Sequence, residues 1–235
     1  MRGCAHGGTR FDHCGGSAGA ALSLLGGGMG RMSDDEAGQA GAEAVRAAWG
    51  RIDAWLRKWG PDSYARLAPP AEPGAVAAAE AALRMRFPAE LRASLGCHDG
   101  VGGEGVLPVK PPLSAAGIVR YWTRWMELTE EEREFGDPEE EGEPSWHPRW
   151  IPWAESDGDA QIIDGRDGPG FGRLGMKYHD EEGSFGDDAP SLAAYLTEVA
   201  DALENGGSVG GRVAYVGVSG EMWWAAAPAA PSGSG

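Results

Sequence analysis

The sequence predicts an α+β protein, with helices packed against a mostly antiparallel sheet made of a central meander and a C-terminal hairpin. Three observations predict it. Apolar residues recur at steps of three and four in stretches such as Glu43 to Trp59 and Ser191 to Glu204. Residues 146–178 break instead into short apolar runs separated by turn residues such as Asp157-Gly158 and Asp164-Gly165. Residues 212–224 alternate across Ser219-Gly220 like a hairpin, and no internal repeat appears.

Residues 1–42 are rich in Gly and Ala without a sustained period and read as a disordered leader, with Met29 and Met32 as alternative translation starts. The first helix, Glu43 to Trp59, carries Val45, Trp49, Ile52, Leu56 and Trp59 along one face and stops at Gly60-Pro61. A short extended piece around Tyr64 to Leu67 leads into Pro69-Pro70. A second helix starts near Pro73 and reaches Arg84, and Pro88 opens a third that closes at Gly96; proline suits a first turn because its missing N–H has no partner to lose there. His98-Asp99-Gly100 reads as a turn and Val106-Leu107-Pro108 as a short edge strand. Ser114 is the expected N-cap of a fourth helix through Leu128, where Trp122 and Trp125 cannot both face inward.

Glu127 to Glu143 holds ten acids and one base and is expected to be a solvated loop. Directly after it, Trp146, Trp150 and Trp153 crowd into eight residues with Pro148 and Pro152 among them. This suits a hairpin with an aromatic first arm and a second arm, Ala160 to Ile163, in a core. A further strand, Phe171 to Tyr178, completes the meander. The last helix, Ser191 to Glu204, stops at Asn205-Gly206, and the chain ends in an Ala/Pro/Ser/Gly tail, 225–235. One domain is therefore expected over 43–224, with an acidic insertion at 127–143.

The net charge is −16, and it is unevenly placed. Residues 1–126 carry 14 bases against 12 acids, whereas 127–188 carry 5 bases against 20 acids. That balance argues against nucleic-acid backbone binding and against anionic membranes, both of which need local positive charge. Cys4, Cys14 and Cys97 are too few and scattered for a disulfide framework and form no CxxC pair, so a reducing cytoplasm fits. No stretch approaches the roughly 18 apolar residues of a membrane span. The apolar run Ala18 to Leu25 is short and lacks a signal-peptide cleavage site, so a soluble, unexported, cytoplasmic protein is expected.

Several motifs invite chemistry and are better explained without it. Gly100-x-Gly102-x-x-Gly105 and Gly170-x-Gly172-x-x-Gly175 match a dinucleotide fingerprint, but the chain has 39 glycines, the first match follows a helix and the second runs on into a strand. Gly15-x-Ser17-x-Gly19 has the form of a nucleophile elbow without the strand and helix that make one. Asp157, Asp159 and Asp164 resemble a calcium loop, yet Ile162 stands where its glycine should be and Gly168 where its final acid should be, so Asp-Gly-Asp reads as a turn and no metal site or cofactor is predicted. His98-Asp99 and His179-Asp180 would make an acid/base or metal cluster only if the fold joined them, as a metal-dependent hydrolase would require. His147 sits among carboxylates that should raise its pKa, against a simpler role as a backbone hydrogen-bond partner. Cys97 beside His98 invites a thiol nucleophile; a small residue at a helix end explains it equally. Trp146 and Trp150 are either core or, flanked by proline beside an acidic loop, anchors for a partner.

The order of motifs resembles the SUKH superfamily, which includes the fungal cell-wall-assembly regulator and many bacterial toxin-immunity proteins. The resemblance runs from about Trp49 to Trp224. It rests on the helix Val76 to Leu83 with Glu80, on Phe87-Pro88-Ala89-Glu90-Leu91, the His98-Asp99-Gly100 turn and Val106-Leu107-Pro108. It continues through the helix near Ile118, Trp150-Ile151-Pro152, Gly158-Asp159, Ile162-Ile163-Asp164 and Ser191-Leu192-Ala193-Ala194-Tyr195-Leu196. It implies an α+β fold that recognises other proteins and carries no catalytic residues. The role it most specifically implies is immunity: binding and blocking a toxin, often a nuclease with a basic cleft. On that reading Glu130, Glu131, Glu132, Glu139, Glu140, Glu141, Asp157 and Asp159 steer the partner and Trp146 or Trp150 anchors it. The alternative is a regulatory or scaffold module in cell-wall or envelope assembly.

Overall fold

A helix N-terminus favours negative charge, and α1 (Asp34–Trp59) begins on Asp34, Asp35 and Glu36. The structure is a computed structural model that describes residues 34–135, 145–186 and 191–228, all within one compact unit. Leader residues before 34, including the Gly15-x-Ser17-x-Gly19 motif, lie outside the described residues. The helix starts well ahead of Glu43, so 34–42 are not part of a structureless leader. Their Gly and Ala content serves packing: Ala42 is buried, and a Cβ added at Gly41 would stand 2.3 Å from Glu90 Oε1.

α2 (Pro61–Tyr64) is a single helical turn opened by Pro61, so the piece around Tyr64 to Leu67, expected to be extended, begins as the end of that helix and passes through a turn at 65–66. Leu67 then bridges Val101. α3 (Ala75–Leu83) ends on left-handed Arg84, and α4 (Ala89–Leu95) follows Pro88. The 106–108 segment is a buried bend instead of a strand; the Val106 carbonyl accepts from Trp224 Nε1 at 3.3 Å. α5 (Ala115–Phe135) is capped as expected, Ser114 Oγ accepting from the Gly117 N–H at 3.0 Å. It continues through Glu127 to Phe135, so the first half of the expected acidic loop is helix; residues 136–144 lie outside the described residues.

β1 (Trp150–Ser156), β2 (Asp159–Asp164) and β3 (Leu174–Lys177) form an antiparallel sheet in the order β1-β2-β3. The β1–β2 turn is Asp157-Gly158, φ 55° and 87°, the two positive values that a twisted two-residue hairpin needs. β3 starts later than expected, since 168–172 turn tightly and leave Phe171 exposed. α6 (Leu192–Asn205) has Ser191 as N-cap and left-handed Gly206 as its stop. β4 (Ser208–Val209), β5 (Arg212–Val216) and β6 (Met222–Ala226) form the second antiparallel sheet. Among the described residues the fold is thus α+β with two three-stranded sheets.

The main core gathers α1 against α4 and α6, with Trp49, Ile52 and Leu56 fully buried. The motif carboxylates hold its corners together. Glu80 Oε1 accepts the Phe87 N–H at 2.7 Å, Glu90 Oε2 the Ala193 N–H at 2.8 Å, and Asp99 Oδ1 the Ala115 N–H at 2.7 Å. A smaller aromatic core lies on the other side of the β1–β2–β3 sheet, where Ala160 and Ile162 alternate with Ile163 of the main core. No helix among the described residues is long and apolar enough to cross a membrane.

Candidate functional site

The smaller core is the floor of the most acidic part of the molecule. Trp125 of α5 stacks on Trp146 at 5.7 Å; Trp146 meets Trp150 edge-on at 5.8 Å and Tyr121 at 6.0 Å; Trp150 meets Phe185 at 5.9 Å. Such contacts add about 0.5–1.5 kcal/mol each beyond area burial. Trp146 is 0% exposed and Trp150 7%, so both belong to this core and are corrected from partner anchors. Gly183 is required beside them, since a Cβ there would sit 2.3 Å from the Trp150 ring. Trp122 is half-buried, packed against both cores, and donates from Nε1 to the Pro148 carbonyl.

Lys177 is buried within this floor, 1% exposed, its ammonium 4.5 Å from the Trp125 centroid and donating to the Tyr178 and Glu181 carbonyls. Burial pushes its pKa down, while Glu132, Asp180, Asp159 and Glu181 act against that shift. Those carboxylates form a rim contributed by α5, β2 and the loop after β3. Sequence reasoning missed Lys177, because a single lysine ending a four-residue strand carries no signal of which face it takes.

Glu130, Glu131 and Glu132 all lie on the last turns of α5, where every residue from 130 to 134 is exposed. Carboxylates there oppose the helix macrodipole, and Glu127/Glu131 and Glu130/Glu134 are like-charge pairs four apart. The Arg133–Glu130 pair at 3.0 Å is too exposed to offset this by more than a few tenths of a kcal/mol, on the order of other surface pairs. Glu139, Glu140 and Glu141 lie outside the described residues.

Asp157 is exposed in the hairpin turn, but Asp159 beside it is engaged. Its Oδ1 accepts from the His179 N–H and Nδ1, both at 3.0 Å, and its Oδ2 from Lys110 Nζ at 3.2 Å. The His179 hydrogen bond is the main reason its carboxyl is held down at about 2. Tyr121 donates to the Gly158 carbonyl at 2.6 Å, and burial drives its phenol up to about 12.

His98 and His179 are not brought together by any shared partner. His98 lies edge-on against Trp49 of the main core, with Nε2 3.0 Å from Asp53 and Nδ1 2.8 Å from the Ala68 carbonyl. Asp99 caps α5 and Asp164 is paired with Arg166 at 2.8 Å, so the carboxylates of the supposed clusters have other uses. Among the described residues no group of three or more His, Cys, Asp or Glu is placed to hold a metal ion. His147 Nδ1 accepts the Arg149 N–H at 3.0 Å, the backbone role that its position suggested. Burial, with Asp53 nearby, raises the Cys97 thiol pKa, the reverse of what a thiolate nucleophile needs.

The geometry can therefore present charge to a partner over a rigid aromatic base. A segment of 63 residues is 41% identical to the KNR4/SMI1 homolog of Eremothecium gossypii; it makes up 27% of this chain and 10% of that protein, so the similarity reaches only about a tenth of that relative's length. The sequence model of the SMI1 / KNR4 family (SUKH-1) matches residues 70–198, which run from before α3 into α6 and contain the acidic rim and the smaller core. With more than half its length matched by that model, the chain belongs to the SMI1 / KNR4 family (SUKH-1).

Proposed function

We propose that this domain is a protein-binding module without catalytic activity, and that it neutralises a basic toxin domain, a nuclease for preference, through the acidic face. The observation that carries the reading is the run of exposed carboxylates at the end of α5, placed where they cost the helix stability, beside Asp180 and Glu181. A nuclease cleft must be positive to hold nucleic acid, so opposite fields would speed encounter and select the partner. The engagement of His98 and His179 with separate carboxylates supports binding over hydrolysis.

The test is association kinetics with a basic toxin domain encoded beside this chain. Replacing Glu130, Glu131 and Glu132, with Glu139, Glu140 and Glu141, by glutamine is expected to slow association about tenfold or more at low salt and to flatten its salt dependence. An unchanged rate removes the electrostatic reading. A second reading, a regulatory or scaffold module in cell-wall or envelope assembly, rests on membership of the SMI1 / KNR4 family. Recovery of several envelope-assembly proteins and no toxin in a pull-down would select it.

A further inference from the structure

β6 is an edge strand of its sheet, and the bonds at its two ends fix the direction of its peptide groups. The Gly217 N–H donates to the Glu221 carbonyl and the Ala227 N–H to the Gly211 carbonyl, both at 2.8 Å and in register with the β5–β6 pairs. Peptide groups along an antiparallel pair alternate in direction, so Trp223 and Ala225 face β5 while Met222, Trp224 and Ala226 turn outward. The outward Met222 N–H donates to Ser63 Oγ at 2.8 Å, and Gly105, φ 94°, lies against its carbonyl, since a Cβ there would stand 2.5 Å from that oxygen. Trp224 and Ala226 have no such partner: among the described residues nothing hydrogen-bonds their outward N–H and C=O groups. Natural edge strands are blunted by lysine, proline, other charges or a bulge, and the Met-Trp-Trp-Ala-Ala run of β6 has none of these.

A cleft of about 460 Å³ borders this edge, lined by Trp223 and Trp224 of β6, by Arg212 of β5 and by the 107–111 segment. Trp223 is 45% exposed and stacks at 5.9 Å on Tyr215, itself 38% exposed. Two other cations of the lining are already paired, Arg66 with Glu221 at 2.6 Å and Lys110 with Asp159 at 3.2 Å. The Arg212 side chain has no ion pair or hydrogen bond among the described residues.

We propose that this cleft takes an extended segment of a partner protein as a further strand on β6, a second contact surface apart from the acidic face. Its backbone pairs with the outward groups of Trp224 and Ala226 and supplies the affinity; its alternate side chains supply the selectivity. Apolar side chains on one face pack against Trp223. An acidic side chain on the other face, which Arg212 shares with Trp224 and Ala226, meets the free guanidinium. The 107–111 segment walls the cleft, so the edge admits a single strand, spaced about 4.8 Å from β6, in preference to the flank of a second copy.

The experiment titrates the isotope-labelled full chain with N-acetyl-Thr-Val-Thr-Val-Asp-Val-Thr-amide and follows the backbone amides by NMR. The Trp224 and Ala226 amide signals are expected to shift most. Of two versions of the peptide N-methylated on alternate residues, one should bind and the other should not, because an edge strand reads one side of the peptide backbone. Exchanging the aspartate for lysine should weaken binding about tenfold, and Arg212→Gln should abolish that difference. Ala226→Pro removes an outward N–H and no bond to β5, and is expected to weaken binding about tenfold or more. Arg212→Gln, at an exposed position, carries the test should Ala226→Pro not fold. No shift at β6, equal behaviour of the two methylated peptides, or full binding by the folded Ala226→Pro variant would overturn the proposal. So would a dimer in sedimentation that Ala226→Pro dissociates, which gives the edge to a second copy. The glutamine variants of the acidic face should bind the peptide normally, so the edge and the toxin reading fail separately.

Discussion

The ammonium of Lys177 lies over the ring of Trp125, 4.5 Å from its centroid, with two backbone carbonyls as acceptors and carboxylates of α5 and the 180–181 loop around it. The aromatic core and the acidic rim are therefore one assembly. The rim offsets part of what burying a cation costs, and the tryptophans supply the ring face that receives it.

Lys177→Met keeps volume and removes the buried charge. It is expected to leave stability unchanged or raise it by about 1–2 kcal/mol, whereas Lys177→Ala should lose about 2–4 kcal/mol by opening a cavity. Urea denaturation checks both. A loss of more than about 3 kcal/mol in Lys177→Met would mean that the cation and its carbonyl acceptors stabilise the core outright.

Glu90 links three elements. It accepts the Ala193 N–H at the start of α6 and lies against Gly41 of α1. Glu90→Ala should cost about 1–2 kcal/mol through the amide left without its acceptor. Gly41→Ala should destabilise the parent, where the new methyl meets Glu90. In the Glu90→Ala background it should instead gain about 0.5–1 kcal/mol, as alanine normally does over glycine inside a helix. A double-mutant cycle reads this coupling, and simple additivity would sink it.

His98 should make stability depend on pH. Burial opposes its charge, but the hydrogen bonds to Asp53 and the Ala68 carbonyl outweigh burial and raise its pKa above the ordinary value. A raised folded pKa means that its contribution is complete below the unfolded value of about 6.5 and is lost as pH rises through the folded value. The urea midpoint should fall across that window, and His98→Asn should flatten the fall. An equal slope in the variant would assign the pH dependence to other groups.

Much of the fold was legible because local rules and tertiary needs agree. Ser114 caps its helix where its position before an apolar period predicted, the last helix begins next to Ser191 as expected, and Asp157-Gly158 makes the hairpin turn that its chemistry demands. Legibility failed where composition was ambiguous. Gly38, Gly41 and the alanines near them read as a leader, yet small residues are what let α1 approach α4. Glu127 to Glu134 read as loop because like charges destabilise a helix, but packing of Trp125 and Thr129 carries α5 to Phe135.

The sequence by itself determined the α+β class, the order of the longer helices and of the meander, the concentration of carboxylates after Leu128 and the resemblance to SUKH proteins. Those properties are local or additive: periodicity, turn chemistry, charge and motif order can be read without knowing what touches what. Only the tertiary structure decided that Trp146 and Trp150 are core, that Lys177 lies beneath the acidic rim, that the two histidines serve different corners, and that Trp224 and Arg212 share a cleft with the 107–111 segment. Each of these depends on which residues distant in the chain meet. Strand alternation and helix periodicity say that a side chain takes one of two faces, and long-range packing chooses what that face meets.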